Sequence, residues 1–171
     1  MLIRRITAAE GAAFFDLRRD AIRAGCAGHY GAAQIAAWTD PATDGSLQSP
    51  LSECFYLGLI DRAVVASGML HAATGEIDAI FVAPSYFGRG LGRAMMMHLF
   101  AVAAEHRLTA LELHATLNAA PFYRSLGFEG ERIVTVRSPR GIDIEAVPMT
   151  RSLVGNSGFR AASTFAPRRD Q

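Results

Sequence analysis

The chain has 171 residues, 50% of them hydrophobic, and a formal net charge of +1. This length and apolar content fit one domain with a sizeable core and argue against two, while a near-neutral balance provides no basic footprint for nucleic acid. All 17 basic residues counted as Lys plus Arg are arginine, which excludes mechanisms that need a lysine, such as P-loop hydrolysis and Schiff-base chemistry.

In chain order, Leu2 to Ile6 is predicted as a short strand, and Thr7 followed by Glu10 is a capping box that opens a helix. Phe14, Leu17, Ala21 and Ile22 give that helix an apolar stripe. Gly31 to Trp38 is a second short helix, and Pro41 to Pro50 is loop, rich in turn-forming residues. Strands follow at Glu53 to Ile60, Ala63 to His71 and Gly75 to Val82, with turn signals between them that suggest an antiparallel meander. A helix spans about Gly90 to His106, with Leu91, Met95, Leu99 and Val102 on its apolar side. Leu108 to His114 is a strand, Asn118 to Leu126 a helix stopped by Gly127, and Phe128 to Arg137 with Ile142 to Met149 a closing pair around Pro139 to Gly141. The expected architecture is α/β, a single mixed, mostly antiparallel sheet of about seven strands with helices on both faces. Residues 1–153 form the domain and 154–171 a tail or arm, whose Phe159 and Phe165 suit docking on the domain itself or on a second copy in a homodimer.

The chemistry concentrates between Glu76 and Met95. A strand ends near Val82, a loop carries Gly88, Gly90 and Gly92, and a helix begins at once, so unpaired backbone N–H groups converge at a positive helix end. Arg89 and Arg93 flank this anion cradle with charge suited to phosphate. A dinucleotide fingerprint does not fit, because the third glycine is replaced by Arg93 counting from Gly88 and by Met95 counting from Gly90, and Pro84 to Phe87 separate strand from glycines.

The V-x-P-x-Y-x-G-x-G-x-G pattern from Val82 to Gly92, followed after one strand by F-Y-x-x-L-G-F from Phe122 to Phe128, resembles the GNAT superfamily of acyltransferases over roughly residues 2 to 153. The resemblance implies transfer of an acetyl group from acetyl-CoA to an amine. It implies that Phe87, Gly88, Arg89, Gly90, Leu91, Gly92 and Arg93 surround the CoA diphosphate, that Ile80, Phe81 and Val82 run beside the pantetheine arm, and that Phe122 and Tyr123 lie near the thioester. The family's usual Arg or Gln at the loop opening is Phe87 here, and its usual Asn before the tyrosine is Thr116, with Asn118 the candidate substitute.

A direct attack of a neutral amine then requires three roles. Tyr123, a phenol with an ordinary pKa near ~10, is the expected acid for the leaving thiolate. Glu76 is the expected base, with Asp78 on the same strand face in reserve and water a third route. A splayed strand end leaves the Val82 N–H for the developing oxyanion. His29, Tyr30 and Trp38 after the first helix, together with His114, are the candidate acceptor walls. The alternative of a different class is a module with this fold that senses acyl-CoA without turnover, a reading that Phe87 and Thr116 keep open.

The histidines show no metal-ligand spacing, so no metal is expected. Cys26 and Cys54 stand far apart in apolar surroundings, which fits a reducing cytoplasm. The start of the chain lacks a signal peptide's apolar run, and no stretch reaches the ~18–20 apolar residues of a membrane span. The excess of Arg and Ala suggests a bacterial source.

Overall fold

A computed structural model describes residues 1–43, 54–138 and 141–154. The expected arm, residues 155–171 with Phe159 and Phe165, lies outside the described residues, as do most of the Pro41 to Pro50 loop, Glu53 at its strand start, and Pro139 with residue 140 of the closing turn. The strands are β1 (Leu2–Arg5), β2 (Phe55–Ile60), β3 (Ala63–His71), β4 (Glu76–Val82), β5 (Ala110–Thr116), β6 (Val134–Arg137) and β7 (Asp143–Ser152). The helices are α1 (Gly11–Gly25), α2 (Ala32–Trp38), α3 (Leu91–Glu105) and α4 (Ala120–Arg124). The seven strands form one sheet in the order β1-β2-β3-β4-β5-β7-β6. Every pairing is antiparallel except β4 with β5. Among the described residues no helix is long and apolar enough to cross a membrane.

The alternation of strand side chains divides the core between two faces. On one face Met95, Met96, Leu99 and Ala103 of α3 bury against Ala66, Leu70, Ile77, Leu111 and Leu113 of the sheet. The helical spacing of these four residues explains why Leu91 and Val102, expected on the buried stripe, are only half-buried at its borders. On the opposite face Phe14 of α1 packs with Phe55, Leu57 and Met69, while Ile22 joins Cys26, Tyr30, Trp38 and Ile144.

The capping box forms. The Glu10 carboxylate accepts the Thr7 N–H at 2.9 Å and also the Thr7 hydroxyl at 2.8 Å, and a 3-10 turn (Ala8–Glu10) leads into α1. Near the other end, the strand expected from Phe128 begins only at Val134. Phe128 is buried in the α3-side core, and the close approach of Gly130 to Pro148 allows a single bridge, Glu129 to Thr150, before the chain turns away.

β4 joins β5 through one registered pair, Glu76 with Glu112. Gly75, at φ +82°, makes the join possible, because a Cβ there would stand 2.6 Å from the Ala110 carbonyl oxygen. Farther along, β4 carries an extra residue relative to β3, between the pairs Met69 with Asp78 and Ser67 with Phe81. Ala79 adopts φ +54° within this bulge. The Ser67 hydroxyl, donating to Ala79 O at 2.8 Å, and the Asp78 carboxylate, accepting the Ala79 N–H at 2.6 Å, hold it there. A bulge bends its strand and increases the twist, so β4 leaves β5 beyond the pin and the sheet opens as a wedge.

Candidate active site

The wedge continues into a cleft of about 1450 Å³, bounded by α1, α2, β4, β5, the start of α3 and α4. At one end lies the glycine loop. Gly88 and Gly90 take φ of +73° and +79°, and no atom lies within 4 Å of where either Cβ would stand. Glycine is therefore required for the backbone turn while the space at its face stays open. Gly90 is the N-cap of α3 with no side-chain cap, and the first helical bond runs from the Ala94 N–H to Gly90 O at 3.0 Å. The N–H groups of Leu91, Gly92 and Arg93 are thus left for an anion at the positive end of the dipole. Phe87, Gly88, Gly90, Leu91, Gly92 and Arg93 all line the cleft. Arg89 departs from expectation: it is not part of the cleft wall, and its guanidinium lies over the Tyr86 ring at 5.3 Å, a cation–π contact that competes with phosphate for its charge.

In the middle of the cleft stand the diverging strand ends. The Ala83 N–H donates to Val65 O at 2.9 Å, which with the register Ala66 to Val82 makes Val82 a non-hydrogen-bonded position toward β3. Its N–H consequently points into the wedge, where β5 offers no partner. Ile80 and Phe81 line the same stretch, and Asn118, Phe122 and Tyr123 line the far side. Asn118 Oδ1 lies 3.5 Å from the Cys26 thiol, and burial pushes that thiol up to about 11. Tyr123 is buried, its ring edge-on to Phe122 at 5.1 Å and to Phe128 at 5.9 Å. Among the described residues nothing hydrogen-bonds its hydroxyl. Burial raises the phenol pKa well above its ordinary value, and the negative charge of Asp78 raises it further.

The other end is acidic and aromatic. Glu76, Asp78, His71 and His114 line it, and His29 and Trp38 also line the cleft, Trp38 packing with Ile22, Tyr30 and Ile144. Tyr30 again departs from expectation, because it does not line the cleft. Its hydroxyl donates to Glu145 O at 2.6 Å and accepts the Leu117 N–H at 3.0 Å, and its ring supports Trp38 from behind at 5.7 Å. These two bonds tie the segment between α1 and α2 to β7 and to the turn before α4. Cleft residues that the sequence pattern did not single out as site residues include Phe14, Phe15, Phe55, Met69, His71, Arg137 and Ser138. Phe14 had a signal, but that of a core stripe; Phe15 follows it on α1, Phe55, Met69, His71 and Arg137 come from strands, and Ser138 follows β6. Among the described residues no group of three His, Cys, Asp or Glu side chains is placed to hold a metal ion.

A family model described as acetyltransferase (GNAT) family matches residues 19–128. Over 56 residues, 33% of this chain and 38% of the relative, the sequence is 38% identical to glucosamine 6-phosphate N-acetyltransferase of Trypanosoma brucei brucei. Over 61 residues, 36% of this chain and 26% of the relative, it is 34% identical to histone acetyltransferase TAP1 of Glycine max. The chain thus spans between 26% and 38% of the length of these curated relatives. Among solved structures, the GCN5-related N-acetyltransferase from Rhodopseudomonas palustris superposes with a TM-score of 0.80 at 24% identity, covering 89% of this chain and 95% of that one. The PaiA N-acetyltransferase from Thermoplasma acidophilum, solved in complex with coenzyme A, gives 0.66 at 16% identity, covering 88% and 98%. At these identities the structural likeness establishes a common fold.

Proposed function

Given that this chain belongs to the acetyltransferase (GNAT) family, we propose that it moves an acetyl group from acetyl-CoA to a primary amine of a small molecule or peptide, both held in the cleft at once. The observation that carries this reading is the wedge: an unpaired Val82 N–H on one wall, an unbonded Tyr123 phenol on the other, and an open amide cradle at its end.

The residues present fit the co-substrate. Gly88 and Gly90 leave room for phosphate oxygens against the backbone, the free N–H groups of Leu91, Gly92 and Arg93 would donate to those oxygens, and the Arg93 side chain would add positive charge. Phe87 in place of a polar residue removes one side chain and leaves the amides intact. Acetyl-CoA supplies the acetyl group as a thioester, and its pantetheine arm would run along Ile80, Phe81 and Val82, taking the backbone pairing that β5 has vacated. Asn118 and Phe122 would face it.

The chain's own groups then divide the work. The Val82 N–H donates to the carbonyl oxygen as negative charge develops, a contribution worth ~2.7–4 kcal/mol at comparable sites. Asp78 accepts the proton of the attacking amine, directly or through a water. Glu76 stands at the pin, whereas Asp78 stands where the wedge has opened and where its charge reaches Tyr123. Tyr123 returns a proton to the departing sulfur. Its raised pKa keeps that proton in place until a thiolate, itself poorly solvated in the same apolar wall, appears beside it. His29, Trp38 and His114 bound the acceptor space. The free Cys26 and Cys54 suit a reducing, cytoplasmic setting.

The test is release of CoA thiol from acetyl-CoA across a panel of amines. Amine-dependent release supports the reading, whereas saturable acetyl-CoA binding without release on any amine reduces the site to an acyl-CoA sensor.

A further inference from the structure

Resting on acetyl transfer as the reaction, the structure assigns the acceptor to one chemical class: a primary amine carried on an aromatic or branched apolar body. It is thereby distinguished from sugar phosphates, polyamines and strongly basic peptides.

The observation is an aromatic cluster beside the carboxylates. Phe14 lies 5.2 Å from Phe15, 5.1 Å from Phe55 and 6.3 Å from Phe81, ring centre to ring centre. All four rings line the cleft, and Phe15 and Phe81 are only partly buried, so their faces reach its open volume. Met69 completes this wall and is paired in register with Asp78. The apolar surface therefore abuts the carboxylate directly, with the next pair on the same face, His71 and Glu76, continuing the polar row.

An acceptor whose ammonium or amine meets Asp78 must lay its next several atoms on Phe15, Phe81 and Met69. A ring or branched alkyl group gains apolar burial there and edge or face contacts with the phenylalanines. A polyamine could pair its second charge only by folding back to Glu76 on the polar row, because laid along the apolar wall that charge would lose hydration without a partner. A sugar phosphate would bring a dianion to an end whose row carries Glu76 and Asp78. Charge and shape therefore select together: one positive group at the row, one apolar body behind it.

The sole tryptophan, Trp38, lines the cleft and gives a direct readout. The experiment titrates CoA-loaded protein with 2-phenylethylamine, isopentylamine, spermidine and glucosamine 6-phosphate, following Trp38 fluorescence and confirming by calorimetry, and then measures thiol release with the same amines. Binding of 2-phenylethylamine at least about tenfold tighter than spermidine or glucosamine 6-phosphate is expected, with kcat/KM in the same order. Phe15→Ala should weaken 2-phenylethylamine about tenfold while leaving CoA affinity unchanged, and Phe15→Leu should recover most of the loss. Equal or tighter binding of spermidine or glucosamine 6-phosphate, or an unaltered 2-phenylethylamine affinity in Phe15→Ala, overturns the assignment. Because CoA loading is measured in the same titration, failure of the acyl-transfer reading shows as absent CoA binding or as no release on any amine. Failure of the acceptor class shows as normal CoA binding with the wrong amine preferred.

Discussion

Glu76 lies opposite Glu112 in the one registered pair that fastens β4 to β5, and the reactive wedge begins where that pair ends. The pin depends on Gly75, whose positive φ and missing side chain let the turn pass close to the Ala110 carbonyl. Gly75→Ala should therefore cost about 2 kcal/mol, combining left-handed strain with a backbone clash. Urea unfolding measures it, and an unchanged midpoint would mean that the join does not need the glycine.

Tyr123→Phe should lower kcat by about 10²-fold or more while leaving acetyl-CoA affinity near normal. The pH dependence follows from the raised phenol. An acid acts only while protonated, so with its pKa above the ordinary value the rate should hold through pH 9–10 instead of falling there. Asp78→Asn removes the negative charge that is the second cause of the rise, and its residual activity should fall away at lower pH than the wild type's. Rate profiles from pH 6 to 11 test both statements, and coincident alkaline limbs would separate Asp78 from Tyr123.

Tyr30 serves the fold rather than the acceptor. Tyr30→Phe strands the Leu117 N–H and the Glu145 carbonyl, so stability should fall by about 2 kcal/mol. The acceptor KM should be unaltered, since the hydroxyl does not reach the cleft. A KM change without loss of stability would return Tyr30 to the acceptor wall.

The Arg4–Glu10 pair predicts acid sensitivity at the start of α1. The hydrogen bond from Arg4, outweighing the opposing effect of burial and joined by bonds from Thr7, lowers the Glu10 carboxyl to about 2 from its ordinary 4.5. A depressed folded pKa gives stability that is fully present above pH 4.5 and is lost as pH falls toward 2. Solvent screening at this exposed pair keeps the effect small. Glu10→Gln should accordingly unfold earlier at pH 7 and converge with the wild type near pH 2, as thermal melts across that range would show.

Much of this architecture was legible in local pattern. Ala63 to His71 is a nearly continuous apolar run that starts just after the Asp61–Arg62 turn and folds with those bounds, and the spacing of Val82 to Gly92 marks the helix-end cradle. The split near Val82 was expected as a splayed strand end, but its cause was hidden. The bulge needs Ala79 in a left-handed conformation that alanine does not favour, held by Ser67 from a neighbouring strand. Only register reveals such a bond. The aromatic wall was hidden for the same reason, since Phe14 and Phe15 come from α1, Phe55 from the start of β2 and Phe81 from β4. Tyr30 shows the converse: an aromatic residue beside a candidate site spends its polar atom on distant backbone, and nothing within its own segment signals that.

The central claim is that backbone amides at the Gly88–Arg93 turn hold a diphosphate, and calorimetric titration with CoA tests it most directly. The wild type should bind CoA saturably with a Kd below about 1 mM, and Gly90→Ala should weaken binding at least about tenfold, because its Cβ enters the open space where phosphate would rest and strains a backbone at φ +79°. A folded wild type that shows no saturable heat with CoA at millimolar concentration would contradict the account.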